Sequence, residues 1–171
     1  MPADASARLA EELRDALAMT RADLERLADR AGTFLASVAA REPTEIEIYG
    51  VGAVLHGYYN TLERWLERVA RELNSGPPEG PDWHRLLLRT MALDKPGHRP
   101  PLFDEATAAE LGRFLGFRHL FRHLYVLDLR WAEIRLLLAA LEPLHRSLDS
   151  QLAAFDGFLV ELTERLRVSG G

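Results

Sequence analysis

Residues 111 to 127 hold three arginines (Arg113, Arg118 and Arg122) and two histidines (His119 and His123), with no carboxylate among them. The chain as a whole is acidic, with a formal net charge of −5, so this segment is a local reversal of sign. A solvated helix face would account for it. So would a phosphate site, since a fixed guanidinium holds two phosphate oxygens and stabilises charge that grows on them in a transition state. Imidazole, with an ordinary pKa of roughly 6.5, gives or takes a proton near neutrality. Together these groups suit cleavage of RNA by its own 2′-hydroxyl: one group removes the hydroxyl proton, another protonates the leaving oxygen, and no metal is required.

Spacing narrows the choice. Arg118 and His123 stand five apart, in an Arg-x4–6-His pattern, and Arg113 with His119 matches it too. So arginine-rich a chain produces about two such matches by chance, so the pattern alone carries no weight. The continuation carries more. "RHLFRHLY", residues 118 to 125, adds His-x-Tyr and so resembles the Arg-x4-His-x-Tyr signature of HepT toxins, which belong to the HEPN ribonucleases. "LHGYYNTLERWLERVARELNSGPPEGPDWHRLLLRTMAL" (55–93) resembles the front half of a HepT-like subgroup, and "FRHLFRHLYVLDLRW" (117–131) its back half. The resemblance extends from residue 45 to about 166. One position departs from it: His119 stands where the best-known HepT proteins usually carry asparagine.

The resemblance implies an endoribonuclease toxin with Arg118 and His123 as catalytic residues, acting on RNA as a homodimer without a cofactor. It also implies a cognate antitoxin, a minimal nucleotidyltransferase that uses ATP. Tyr125, two residues past His123, is the expected acceptor of AMP from that partner, which would place a phosphate beside the same arginines and silence the nuclease. His119 and Arg122 are expected to position the pair or to contact RNA. Glu63 is read either as orienting a motif arginine across the bundle or as a solvated glutamate. Two other readings stay open: a non-catalytic helical subunit that presents substrate to a nucleotidyltransferase, and a DinB-like metal-binding bundle using His56, His119 and His123. The second lacks the glutamate of a zincin helix, because Leu120 occupies its place, and the arginines would repel a dication.

The elements that must position these groups are helices. Apolar residues recur at helical spacing from 4 to 40, and again from about Glu45 to Leu73, with Glu42-Pro43 as the break between them. Gly50, Ala53 and Gly57 form a small-residue strip on the second helix that would admit a neighbouring backbone. "NSGPPEGPD" (74–82) is a loop with Asp82 as N-cap of a short helix, and Asp82-Trp83-His84 reads as a structural helix start. Asp104 opens a fourth helix that ends in the motif. Five apart on one helix means about 140° apart in direction, so Arg118 and His123 need not converge within a subunit. Arg118, Arg122 and Tyr125 share one stripe, and His119 and His123 another, which a two-fold dimer would bring together.

Asp128 is expected to cap a fifth helix with a seam stepping from Ile134 through 138, 141, 145, 148, 152, 155, 159 and 162 to 166. Pro143 should kink or split that helix, and His145 is read as a satisfied seam histidine. Tyr58 and Trp65 are read as core. No period-two strand, glycine-rich phosphate loop or repeat is present. The expectation is therefore an all-α, up-and-down bundle of four to five helices in a single domain, 1–171. Without cysteine there is no disulfide or thiolate metal site. The first residues carry neither a basic leader nor an apolar h-region, and no apolar run approaches the roughly 18 residues of a membrane span. A cytoplasmic protein with no membrane partner is expected.

Overall fold

The computed structural model describes residues 3–122 and 129–169. The described residues form five helices: α1 (Ala3–Ser37), α2 (Glu45–Leu73), α3 (Trp83–Met91), α4 (Glu105–Arg122) and α5 (Trp131–Ser169). No strand occurs among the described residues, so the expected all-α bundle is what forms. None of these helices is long and apolar enough to cross a membrane. His123, Tyr125 and Asp128 lie outside the described residues.

The starts of α2 and α4 have local causes. Thr44 and Glu47 start α2 with a reciprocal capping box, and Arg41 adds a bidentate contact to the Glu47 carboxylate at 2.6 and 2.9 Å. The Asp104 carboxylate accepts from the Thr107 N–H at 2.7 Å at the head of α4. Asp82 does not act as expected: it precedes α3 but makes no side-chain cap bond. The loop from α3 to α4 is held instead by Arg99, buried to 3% exposure. Its guanidinium donates to Asn74 Oδ1 and to the carbonyls of Thr90, Leu93 and Pro100 at 2.9 to 3.2 Å.

α1 lies along α5 and α2, while α4 packs on α2, α3 and α5. The core takes Leu13, Leu17 and Leu24 from α1, Leu55, Leu62 and Leu66 from α2, Leu111 and Phe114 from α4, and Leu148, Leu152 and Leu159 from α5. Each such side chain contributes on the order of 1.5–3 kcal/mol by leaving water. Tyr58 and Trp65 are buried within it. So is His145, whose Nε2 meets Glu25 Oε2 at 2.7 Å and whose Nδ1 meets the Tyr58 hydroxyl at 3.1 Å. A proton on Nε2 satisfies both bonds, because the Tyr58 O–H then donates to Nδ1; burial pushes the Tyr58 phenol well above its ordinary pKa.

Two sequence expectations about α2 and α5 are corrected. Of the kink or split expected at Pro143, the split does not occur, because α5 runs unbroken across it. Proline removes the donor to the carbonyl four residues back, and both Pro143 and Ala139 are on the exposed face, where water can serve that carbonyl. Among the described residues no backbone packs on the Gly50–Ala53–Gly57 strip: nothing of them lies within 4 Å of a Cβ built at Gly50, Ala53 is exposed, and Gly57 meets the Leu27 side chain at 3.8 Å. The close approach is at Gly52, where a Cβ would stand 2.9 Å from Phe121 Cε2 and 3.2 Å from Leu129 Cδ1.

Candidate functional site

His56, Asn60, Glu63 and Glu67 recur on α2 at steps of four, three and four, which lines them up on one side of the helix beside its apolar seam. The second half of α4 packs on this side and brings Arg118 and Arg122 to it. With Arg64 these residues line a cleft of about 250 Å³.

Arg118 is the most constrained of them. Its Nε–H donates to Asn60 Oδ1 at 2.7 Å, Nη2 lies 2.7 Å from Glu63 Oε2, and Nη1 lies 3.3 Å from His84 Nε2. Glu63, only 3% exposed, uses its other oxygen to accept from His84 Nδ1 at 2.7 Å. The tautomer of His84 with its proton on Nδ1 satisfies both of its contacts, leaving Nε2 to accept from Arg118. The Trp83 indole lies against the His84 ring, with centroids 3.6 Å apart. A buried guanidinium without a counter-charge costs several kcal/mol, so Glu63 is what permits Arg118 to be there at all. Of the five guanidinium N–H groups, three are engaged in this way and one remains on each terminal nitrogen.

Asn60 carries the arrangement onward. Because Arg118 Nε only donates, Asn60 must turn its oxygen to Arg118 and its amide nitrogen away. That nitrogen lies 3.1 Å from both ring nitrogens of His56. The His56 ring also lies against Phe121, with centroids 5.2 Å apart and planes inclined at 34°. Phe121 is the ring that occupies the space left by the missing side chain of Gly52. Burial lowers the His56 pKa, and the charges of Arg118 and then Arg122 lower it further, with Glu63 opposing.

The sequence-predicted residues thus fall into three groups. Glu63, Arg118 and Arg122 share the cleft, and Glu63 meets Arg118 directly instead of standing in solvent. His119 lies on the exposed side of α4. His123 and Tyr125 lie outside the described residues. Among the described residues no cluster of three or more histidine, aspartate or glutamate side chains could hold a metal ion; the third imidazole of the DinB-like reading is His123. Asn60, Arg64 and Glu67 of the cleft escaped the sequence reading, and His84, which meets Arg118 from α3, was read only as part of a structural helix start. Asn60 was detectable, since the 56–60–63–67 stripe is polar at helical spacing beside the apolar seam of α2. His84 gave no such signal, because only the turn of the 74–82 loop carries it back to Glu63.

An all-α bundle whose fourth helix sets a motif arginine into a polar interhelical cleft is HEPN-like in architecture. The family model described as HepT-like protein matches residues 50–159, well over half of the chain, and the chain belongs to that family. The family is of the HEPN type, which is generally related to ribonucleases. No curated protein and no solved structure matches the chain. The matched segment includes every residue of the cleft, whereas α1 precedes it.

Proposed function

We propose that the protein is a metal-independent endoribonuclease toxin that works as a homodimer of single-domain chains in the cytoplasm. Arg118 holds the scissile phosphate and His123 transfers a proton; His119 and Arg122 bind or position the RNA, and Glu63 positions Arg118. A minimal nucleotidyltransferase antitoxin silences the enzyme by transferring AMP from ATP to Tyr125. Membership of the HepT-like family supports the reading. The observation that carries it is Arg118, an arginine of the motif, set by three partners at a cleft that also holds Arg64 and Arg122.

The test is RNA cleavage by purified protein in EDTA, which should leave a 2′,3′-cyclic phosphate end. His123→Ala should lower the rate about 10²- to 10⁴-fold, the usual loss for an acid–base group. Arg118→Lys keeps the charge beside Glu63 but loses the fork geometry, and should be similarly impaired. Co-expression with the nucleotidyltransferase should add AMP mass units to the wild type and none to Tyr125→Phe.

One observation favours a second reading. The charge of Arg118 is already balanced by Glu63, as it would be in a non-catalytic helical subunit that presents substrate to a nucleotidyltransferase. Folded dimer that cleaves no RNA, in either wild type or variant, would decide for that subunit.

A further inference from the structure

Transesterification needs a group that takes the 2′-hydroxyl proton, and the cleft offers few. Its arginines and Asn60 cannot accept a proton. Glu63 has both oxygens engaged, by His84 and by Arg118. Among the described residues of the cleft, His56 and Glu67 remain, and of these two side-chain types only imidazole is a strong base that is also unprotonated near neutral pH. We propose that His56 is the proton acceptor for the attacking 2′-hydroxyl, a role that rests on the nuclease reading above.

Three features of the geometry point to it. Arg118 fixes the Asn60 amide, and the amide nitrogen in turn sits against the His56 ring. The Asn60 nitrogen is equidistant from both ring nitrogens, at 3.1 Å. In the ring plane such a point would collide with Cε1, so the amide lies over the ring face, takes neither in-plane nitrogen position, and leaves the ring edge to substrate. Phe121, seated on Gly52, closes one side of the ring and limits its rotation. The charged groups around it are Glu63, Arg64 and Glu67 from α2 and Arg118 and Arg122 from α4. Burial and the two α4 arginines favour the neutral ring, against the smaller effect of Glu63.

The step balances simply. The 2′-hydroxyl proton passes to the free His56 nitrogen as the O2′–P bond forms. The P–O5′ bond breaks, the 5′-oxygen takes a proton from a separate acid or from water, and the imidazolium returns its proton to water. Arg118 and Arg122, which line the same cleft, would take the non-bridging oxygens.

A leaving group that needs no proton separates base from acid. Wild type, His56→Gln and Glu67→Gln would be assayed across pH on uridylyl-adenosine and on uridine 3′-(4-nitrophenyl phosphate). His56→Gln is expected to lose about 10²- to 10⁴-fold in kcat on both substrates, with little change in KM. It should also lose the low-pH limb of kcat/KM, whose wild-type midpoint lies below 6.5. Glu67→Gln should keep that limb. In the wild type, the His56 ring protons should titrate below 6.5 by NMR and shift on addition of uridine 3′-phosphate, a readout independent of the variant's folding. Normal cleavage of the nitrophenyl ester by His56→Gln, persistence of the limb, its loss in Glu67→Gln instead, or an unmoved His56 signal would each overturn the assignment. Failure of the nuclease reading looks different: the wild type then cleaves neither substrate, and the role of His56 falls with it.

Discussion

Replacing Glu63 by glutamine would leave the Arg118 charge buried without its counter-ion. Loss of one partner of a buried pair costs about 3–5 kcal/mol, far more than the pair's net worth, because the survivor cannot be solvated. Urea denaturation of Glu63→Gln should therefore show a loss of that order. The double variant Glu63→Gln/Arg118→Met should regain a large part of it, since both charges are then gone. A Glu63→Gln protein as stable as wild type would mean that Arg118 leaves the cleft for water. The arginine itself was legible in the sequence, from its place in "RHLFRHLY". Its partners were legible in unequal measure. Glu63 falls on the periodic polar stripe of α2, so helix geometry alone puts it near a packed neighbour. His84 depends on the path of a loop with positive φ at Ser75, Gly76 and Gly80, and side-chain types do not encode such a path.

At the scale of the helix, α2 works as a two-sided element: an apolar seam toward the core and a polar stripe toward α4. Gly52 sits where these meet. Alanine is the better helix former by about 1 kcal/mol, yet its Cβ would stand 2.9 Å from the Phe121 ring, and overpacking of this kind costs about 1–3 kcal/mol. Gly52→Ala should consequently be neutral to about 2 kcal/mol less stable, with altered ring-current shifts at His56. A variant stabilised by the full helix-propensity gain would show that Phe121 moves aside freely. The start of α2 gives a pH prediction. Bonds from Arg41, then Thr44, hold the Glu47 carboxyl at about 2, against an ordinary 4.5. A depressed carboxylate pKa means that this contribution to the cap is complete above about 4.5 and is lost as pH falls toward about 2. Carbon-detected NMR titration of Glu47 should find that midpoint, and Arg41→Ala should raise it. Helix existence was legible throughout from apolar periodicity. Pro143 misled because proline's cost depends on whether the orphaned carbonyl is buried, and the seam pattern records the buried face only.

Across the whole molecule, α1 is joined to α5 by two kinds of contact of very different weight. Arg14 pairs with Asp156 at 3.0 Å, Arg21 pairs with Asp149 at 2.6 Å, and Arg167 pairs with Glu11. These pairs are partly exposed, and such pairs contribute about 0–1 kcal/mol each. Between the helices run fully buried leucines, where truncation to alanine costs about 2–5 kcal/mol. Thermal or urea unfolding should thus rank Leu148→Ala well above Arg21→Ala in damage; the reverse order would mean that the charged edge, and not the seam, holds α1. The family-matched segment begins at residue 50, yet the α5 seam is incomplete without Leu13, Leu17 and Leu24 of α1. That dependence was legible only in part, since the apolar spacing of 4 to 40 announces a packed helix without naming its partner.

The pairing of α1 with α5 also sets an order of events. Arg21 and Asp149 are 128 residues apart in the chain, and Arg14 and Asp156 are 142 apart. At synthesis rates of roughly 5–20 residues per second, α1 waits on the order of ten seconds for the helix that covers its apolar face. α2 shelters one side of it meanwhile, and the cleft residues of α2, α3 and α4 are all made before α5. Yet the core beneath them is complete only with the residues of α5, the last helix to be made.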